Sequence, residues 1–419
     1  MTIRLKIARL ANGERLPLLV KPSGVPLLLP TLYALTQLRA RNLAANSIAN
    51  ALRAVGLFDS HLTSRGIDLN SRLKVGEILS LSEIEALVDR FRIRGAVEEE
   101  KPVDFSRRRQ KIPSAEHYRT ALKGSNEEQV SRGWLATRLM YSRNYVVWLA
   151  ENEILQPGTL EAVRQRLRLA RESFVRAIDS RMPTASESQN PRQGLAEEEI
   201  NTIEDAIRPQ SPRNPWKEEH AKVRNHAMIT LFKALGSRRG EIAGLEIPDV
   251  NFRTGKITIL RKPDNPTDPR RDQPNTKTLA IEQELTRDTL DVLESYVLEH
   301  RSKIPGARRH KVIFVASDTG RPLSNPAINK VFRGLRDGCL GPKSDLSPHI
   351  LRHTWNDAFS KLCDEKNIPP ELEEKFRSRS MGWVEGSGTA RKYTKRHVAR
   401  EAQKLSLELQ KRLGNPTRK

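Results

Sequence analysis

A thirteen-residue run from Met182 to Gly194, Met-Pro-Thr-Ala-Ser-Glu-Ser-Gln-Asn-Pro-Arg-Gln-Gly, separates two long stretches of helical apolar periodicity. A segment so poor in apolar side chains cannot bury enough surface to offset its conformational entropy, so it reads as a linker. A single hydrophobic core stops growing well short of 419 residues, which makes two or three domains the expectation. The reading is an N-terminal extension over 1–28, a helical domain over 29–182, a linker over 183–194 and a second domain over 195–419.

The first domain shows basic amphipathic helices. Ser80 and Glu83 have capping-box spacing and open the run Ile84, Leu87, Val88, Phe91. Trp134, Leu135, Leu139, Tyr145, Val146 and Leu149 recur at helical intervals, as do Leu160, Val163, Leu167, Ala170, Phe174 and Ile178. The stretch from Glu98 to Ser125, an acidic cluster followed by Arg107-Arg108-Arg109, reads as poorly ordered. Past the linker, Ala196 to Ile207 and Arg224 to Leu235 read as helices. A strand pair follows, Lys256 to Leu260 and Thr278 to Ile281, separated by a polar insertion from Pro263 to Pro274. The fold class is therefore mainly α with a small β-sheet.

The formal charge of +22 and isoelectric point near 10.2 demand an acidic partner, nucleic acid or membrane headgroups. No apolar run reaches the length of a bilayer span, and the most apolar stretch, Val25 to Leu38, is interrupted by Pro26, Pro30, Thr31 and Gln37. Arg4, Lys6 and Arg9 are not followed by the apolar segment of a secretory signal, so a cytoplasmic, nucleoid-associated location is expected, with no membrane partner. Aromatic residues make up 5% of the chain, little material for stacking single-stranded bases, so duplex DNA is the better fit. The arginines interleaved along the first-domain helices suit phosphate tracking, against the plainer reading of a solvated face. Cys339 and Cys363 form no C-x-x-C pair, and nothing resembles H-E-x-x-H or a carboxylate cluster, so neither disulfide nor metal is expected.

Four elements appear in order in the second domain. They are Gly236-Ser237-Arg238-Arg239-Gly240-Glu241, Lys277 within Thr276-Lys277-Thr278, His349-Ile350-Leu351-Arg352-His353, and Gly382-Trp383 with Tyr393 beyond. Each alone is a weak signal. Together they resemble the catalytic domain of the tyrosine recombinase (phage integrase) family, with its G-x-R-x-x-E arginine, hairpin lysine, H-x-x-R, His or Trp after Gly, and C-terminal tyrosine. The resemblance covers about Gly194 to Leu413 well, and implies that the helical domain before it is a core-binding domain clamping DNA from the opposite side.

The chemistry asks for these residue types. Attack on a phosphodiester loads the non-bridging oxygens with charge, and planar guanidinium groups, here Arg238 and Arg352, bind such oxygens through paired hydrogen bonds. A phenol with a pKa near 10 is a poor nucleophile unless helped, and the phosphate clamp with His349 would give Tyr393 that help. Lys277 would protonate the departing 5′-oxygen; Lys262, at the end of the preceding strand, competes for that role because the insertion is long. Trp383 stands where many relatives have His and would donate its indole N–H to a phosphate oxygen. Glu241 would support Arg238 by a charge-assisted hydrogen bond, and His353 would be a structural partner of Arg352.

The resemblance implies a 3′-phosphotyrosyl intermediate, a Holliday junction, no cofactor and no ATP. It also implies a specific recombination site on duplex DNA, with integration, excision or resolution of a mobile element as the outcome. The chain would act as a homo-tetramer on two duplexes, with accessory DNA-bending or partner recombinase proteins. Val398, Ala402, Leu405, Leu409 and Leu413 form an apolar stripe suited to docking on a neighbouring subunit, or to packing within the chain's own domain. Three departures stand out: Ser237 at a usually apolar position, the long insertion, and Gly386-Ser387-Gly388, which places Tyr393 farther from Trp383 on a looser loop. The alternatives are a type IB topoisomerase, which would relax supercoils without joining two sites, and a DNA-binding protein without catalysis.

Overall fold

A computed structural model describes residues 3–94, 98–99, 129–184, 194–274, 279–386 and 388–414. The chain divides into two compact units that meet in sequence between Glu187 and Ser188, inside the polar run.

The first unit is mostly helical. Its long helices are α2 (Ala45–Ser64), α4 (Leu81–Arg92), α5 (Arg132–Leu155) and α6 (Glu161–Asp179), with α1 (Leu28–Tyr33) and α3 (Leu69–Lys74) short beside them. Leu52, Val55 and Phe58 of α2, Leu87 and Phe91 of α4, Val146 of α5 and Leu167 of α6 share one core. At the start of α4 the capping box forms as its spacing requires: Ser80 N–H donates to the Glu83 carboxylate at 2.8 Å, and Glu83 N–H to Ser80 Oγ at 3.4 Å. Arg72 clamps that same carboxylate with both guanidinium nitrogens, at 2.7 and 2.8 Å, and this hydrogen bonding pulls the Glu83 pKa down to about 2. Arg143 pairs with Asp179, Arg171 with Glu151 and Arg181 with Glu85, so part of the basic helices' charge is balanced within the unit.

The first residues carry an element absent from the sequence reading of 1–28. Strands β1 (Arg4–Arg9) and β2 (Arg15–Val20) form an antiparallel hairpin, extended by the two-residue β3 (Glu98–Glu99) in the order β2-β1-β3. The expected disordered stretch from Glu98 to Ser125 otherwise lies outside the described residues.

In the second unit, α7 (Glu197–Ile207) and α8 (Glu219–Leu235) lead to the short α9 (Arg239–Gly244) and the sheet β4 (Val250–Asn251), β5 (Lys256–Ile259) and β6 (Ile281–Glu284), ordered β4-β5-β6. Four further helices follow: α10 (Arg287–Ser295), α11 (Asn325–Leu335), α12 (Pro348–Glu365) and α13 (Pro370–Met381). A final helix, α14, spans Thr389–Gly414. Ile203, Met228, Phe232, Ile242, Ile257, Phe332 and Leu351 meet in its core.

Two expectations shift. Helix α8 begins at Glu219, a turn and more before Arg224. Strand β6 starts three residues beyond the expected Thr278, because the ladder pairs Ile259 with Ile281, both buried, and Ile257 with Gln283. Leu279, by contrast, sends its N–H to Gly382 O at 2.9 Å and stays out of the ladder.

Candidate active site

The site grows from the end of α8. Gly236 closes that helix in the left-handed region (φ 57°), its N–H bonded to Phe232 O at 3.1 Å. A Cβ here would lie 2.7 Å from the Trp355 ring, so glycine is required twice over. Ser237 is buried, and Arg238 caps α9 with extended backbone and a side chain 33% exposed.

Glu241, one turn into α9 and almost wholly buried, organises the two guanidinium groups. It accepts the Arg238 N–H at 2.7 Å and Arg238 Nη1 at 3.0 Å, while Arg352 Nη1 lies 4.0 Å from its other oxygen. Arg352, also buried, donates Nη1 to Gly236 O at 2.8 Å, and its guanidinium carbon lies 5.2 Å from the centre of the Trp383 ring. One carboxylate thus holds two cations near each other, an arrangement that can bind an oxyanion without new reorganisation.

Helix α12 supplies Arg352 and both histidines. Ser347 accepts the Ile350 N–H at 3.3 Å and Pro348 occupies the first helical position, a start that leaves His349 exposed in the first turn. One turn on, His353 is buried and its Nε2 lies 3.0 Å from Nε2 of His349, with ring centroids 4.3 Å apart. At that distance the two rings can hydrogen-bond, with the tautomer deciding which nitrogen donates.

Trp383 follows a Schellman-type end to α13. Gly382 adopts φ 62° and Trp383 N–H reaches back to Ser378 O at 2.9 Å. A Cβ on Gly382 would lie 2.6 Å from the Ile281 side chain, so β6 and this turn meet in close contact, and Gln283 Nε2 adds a bond to Ser380 O at 2.9 Å. Trp383, Met381 and Ala390 form a small cluster at the start of α14.

Tyr393 is the fifth residue of α14, so its backbone is helical and not part of the loop before it, which was the expectation from Gly386-Ser387-Gly388. On the same helix Val398, Leu405, Leu409 and Leu413 are exposed, Leu413 at 73%, so those positions of the stripe are not covered by their own unit.

Lys277 lies outside the described residues. Its competitor Lys262 is held between two carboxylates, with Nζ at 2.8 Å from Glu246 Oε2 and 2.8 and 2.7 Å from the oxygens of Asp249. The insertion is similarly tied down. Arg270 is gripped by Asp268 and donates Nη1 to Ala243 O and Leu323 O, each at 2.8 Å.

The sequence reading missed a polar cluster behind the site, in which Arg377 and Glu373 of α13 meet Asn356 and Ser360 of α12. No signal marked it, because Glu373-Glu374-Lys375-Phe376-Arg377 reads as a solvated charged face.

Among curated proteins, the chain is 28% identical over 156 residues to the tyrosine recombinase XerD of Halalkalibacterium halodurans, covering 37% of this chain and 45% of that one. It is 28% identical over 152 residues to the putative integrase/recombinase y4gC of Sinorhizobium fredii, covering 36% of this chain and 70% of that one. The match thus spans less than half the length of the first of these relatives. Among solved structures, the XerA recombinase is 14% identical with a TM-score of 0.36, over 87% of this chain and 92% of that one. The model of the phage integrase family matches residues 193–399, a span that holds Arg238, Glu241, Lys277, His349, Arg352, His353, Trp383 and Tyr393, and over that span the chain is similar to this family, the tyrosine recombinases.

Proposed function

We propose that the chain is a site-specific DNA recombinase that cleaves and rejoins duplex DNA for integration, excision or resolution of a mobile element. The observation that carries this reading is the convergence of Arg238 and Arg352 on the buried Glu241, with Trp383 under Arg352 and the His349–His353 pair on the same helix. In this reading the two guanidinium groups and the indole N–H would bind the oxygens of one phosphate, and the histidines would accept or relay a proton beside it.

In this reading Tyr393 Oη attacks the scissile phosphorus. The new bond is a 3′-phosphotyrosyl ester, the bond to O5′ breaks, and Lys277 gives its proton to that oxygen. The freed 5′-hydroxyl of another strand then reverses the step, so bond energy is retained and no ATP is consumed. The ion pairs of Lys262 favour Lys277 as the donor, because the Lys262 ammonium is already engaged by Glu246 and Asp249 and would have to leave both to reach the departing oxygen. The exposed apolar stripe of α14 supports assembly as a tetramer on two duplexes, with accessory or partner recombinase proteins acting on that assembly. A cytoplasmic, nucleoid-associated location follows from this activity; among the described residues no helix is long and apolar enough to cross a membrane.

The test is covalent capture on a nicked suicide duplex carrying the recombination site. The wild-type chain should form an adduct, and Tyr393→Phe, which loses only the hydroxyl, should bind the duplex and form none. An adduct formed by the variant would refute the assignment of the nucleophile.

A further inference from the structure

Arg377 has 0% of its surface exposed, and both terminal nitrogens of its guanidinium find partners within the second unit. Nη1 donates to both the carbonyl and Oδ1 of Asn356 at 2.9 Å, and Nη2 donates to Ser360 Oγ at 2.5 Å and pairs with Glu373. Its guanidinium carbon also lies 5.0 Å from the centre of the Phe359 ring. A buried ion pair of this kind is weak as a source of stability, since apolar residues of similar volume often serve as well.

What distinguishes the cluster is where its contacts lead. Asn356 Nδ2 donates to the backbone carbonyl of Arg352 at 2.8 Å, so Arg377 holds the residue that holds the backbone of Arg352. By a second route, Phe359 stacks on Trp355 at 5.1 Å, and Trp355 Nε1 donates to Ala234 O at 3.0 Å. The Trp355 ring also packs against Gly236, whose carbonyl accepts Nη1 of Arg352 at 2.8 Å. The backbone of Arg352 and the carbonyl that aims its guanidinium are therefore both referenced to one buried arginine.

We propose that Arg377 is a positioning residue for DNA cleavage, fixing the aim of Arg352 at the scissile phosphate through Asn356 and through Phe359, Trp355 and Gly236. This rests on the recombinase reading above. The planar fork matters because an ammonium group cannot reach Asn356, Ser360 and Glu373 in one geometry.

The experiment measures single-turnover cleavage at saturating protein on two suicide duplexes, one with an ordinary scissile phosphodiester and one with a neutral methylphosphonate there. The methylphosphonate carries no charge for Arg352 to neutralise, so a defect that acts through Arg352 should shrink on it. The variants are Arg377→Lys and the double variant Glu373→Leu/Arg377→Met, which removes both charges together, with Arg352→Ala as reference. We expect unchanged DNA affinity and a loss on the order of a hundredfold on the phosphodiester, the scale of a small misplacement of a reacting group. On the methylphosphonate, rates should lie within a few fold of wild type, as for Arg352→Ala. Equal losses on both substrates, or wild-type cleavage by a variant of normal melting, would show a merely structural cluster and overturn the proposal. Should the wild-type chain form no adduct on either duplex, the recombinase reading fails and takes this inference with it.

Discussion

Glu241→Gln is the substitution whose cost the structure defines best. It keeps the shape of the side chain and removes the charge that holds two guanidinium groups together. At an effective dielectric constant of 20, unit charges at the 4.0 Å separation of Glu241 and Arg352 attract by about 4 kcal/mol. The 3.0 Å contact to Arg238 adds less, because that side chain is 33% exposed and partly screened by solvent. Gln also turns an N–H2 group toward donors where a carboxylate accepted them. Removing one partner of a buried pair costs 3–5 kcal/mol in general, and with the amide oxygen still accepting one bond we expect about 3 kcal/mol here. For a unit of this size that corresponds to a melting shift of roughly 6–12 °C. Calorimetry on the full chain should show the transition of the second unit moving down by that amount while the first stays in place. Adduct formation on the suicide duplex should fall at least tenfold, since Arg238 and Arg352 lose their common anchor. A variant melting within about 2 °C of wild type and forming the adduct at the normal rate would refute the idea that Glu241 organises the site.

Three further outcomes are expected. Arg238→Lys and Arg352→Lys should each lower cleavage by on the order of a hundredfold in single-turnover assays; only the second should also lower the melting temperature, because Arg352 alone is buried against Gly236 O and Trp383. Lys277→Ala should cleave ordinary DNA poorly and recover on a substrate whose 5′-bridging oxygen is sulfur, whereas Lys262→Ala should destabilise the second unit by leaving Glu246 and Asp249 unpaired and show no selective recovery; the opposite pattern would reassign the proton donor. Glu83 has its pKa lowered from the ordinary value of 4.5 to about 2, so its contribution is present above pH 4.5 and is lost as pH falls toward 2; the urea midpoints of wild type and Glu83→Gln should differ at pH 7 and converge near pH 2, and a gap independent of pH would refute the clamp.

The residues of the candidate site were legible in the sequence because the proposed chemistry demands particular residue types in a fixed order. Arg238, Glu241, His349, Arg352 and Trp383 were all recognisable before any fold was known. Their mutual support was legible only in part: the three-residue spacing of Arg238 and Glu241 implies contact on a helix, but nothing in the chain announces that Glu241 also faces Arg352. Strand β6 was misplaced because Thr278 and Leu279 are better strand formers than Glu282, Gln283 and Glu284, while the structure pairs Ile281 and those three residues across from β5 and sends Leu279 to Gly382. The N-terminal hairpin escaped because Pro17 lies within Arg15–Val20 and argues against a strand. Arg377 escaped for the opposite reason, since a charged side chain in a charged run gives no sign of being buried.

The insertion between β5 and β6 has a consequence beyond connecting two strands. Helix α9 has six residues, too few to hold itself by its own hydrogen bonds, and its C-terminal carbonyls need donors from elsewhere. Arg270, reaching in from the insertion, supplies one to Ala243 O and at the same time ties Leu323 O. The excursion therefore acts as a splint on the short helix that carries Glu241. Trimming it to a tight turn would shorten the loop yet strip two carbonyls of their donor, at about 1–3 kcal/mol each, and loosen the end of the helix that carries Glu241.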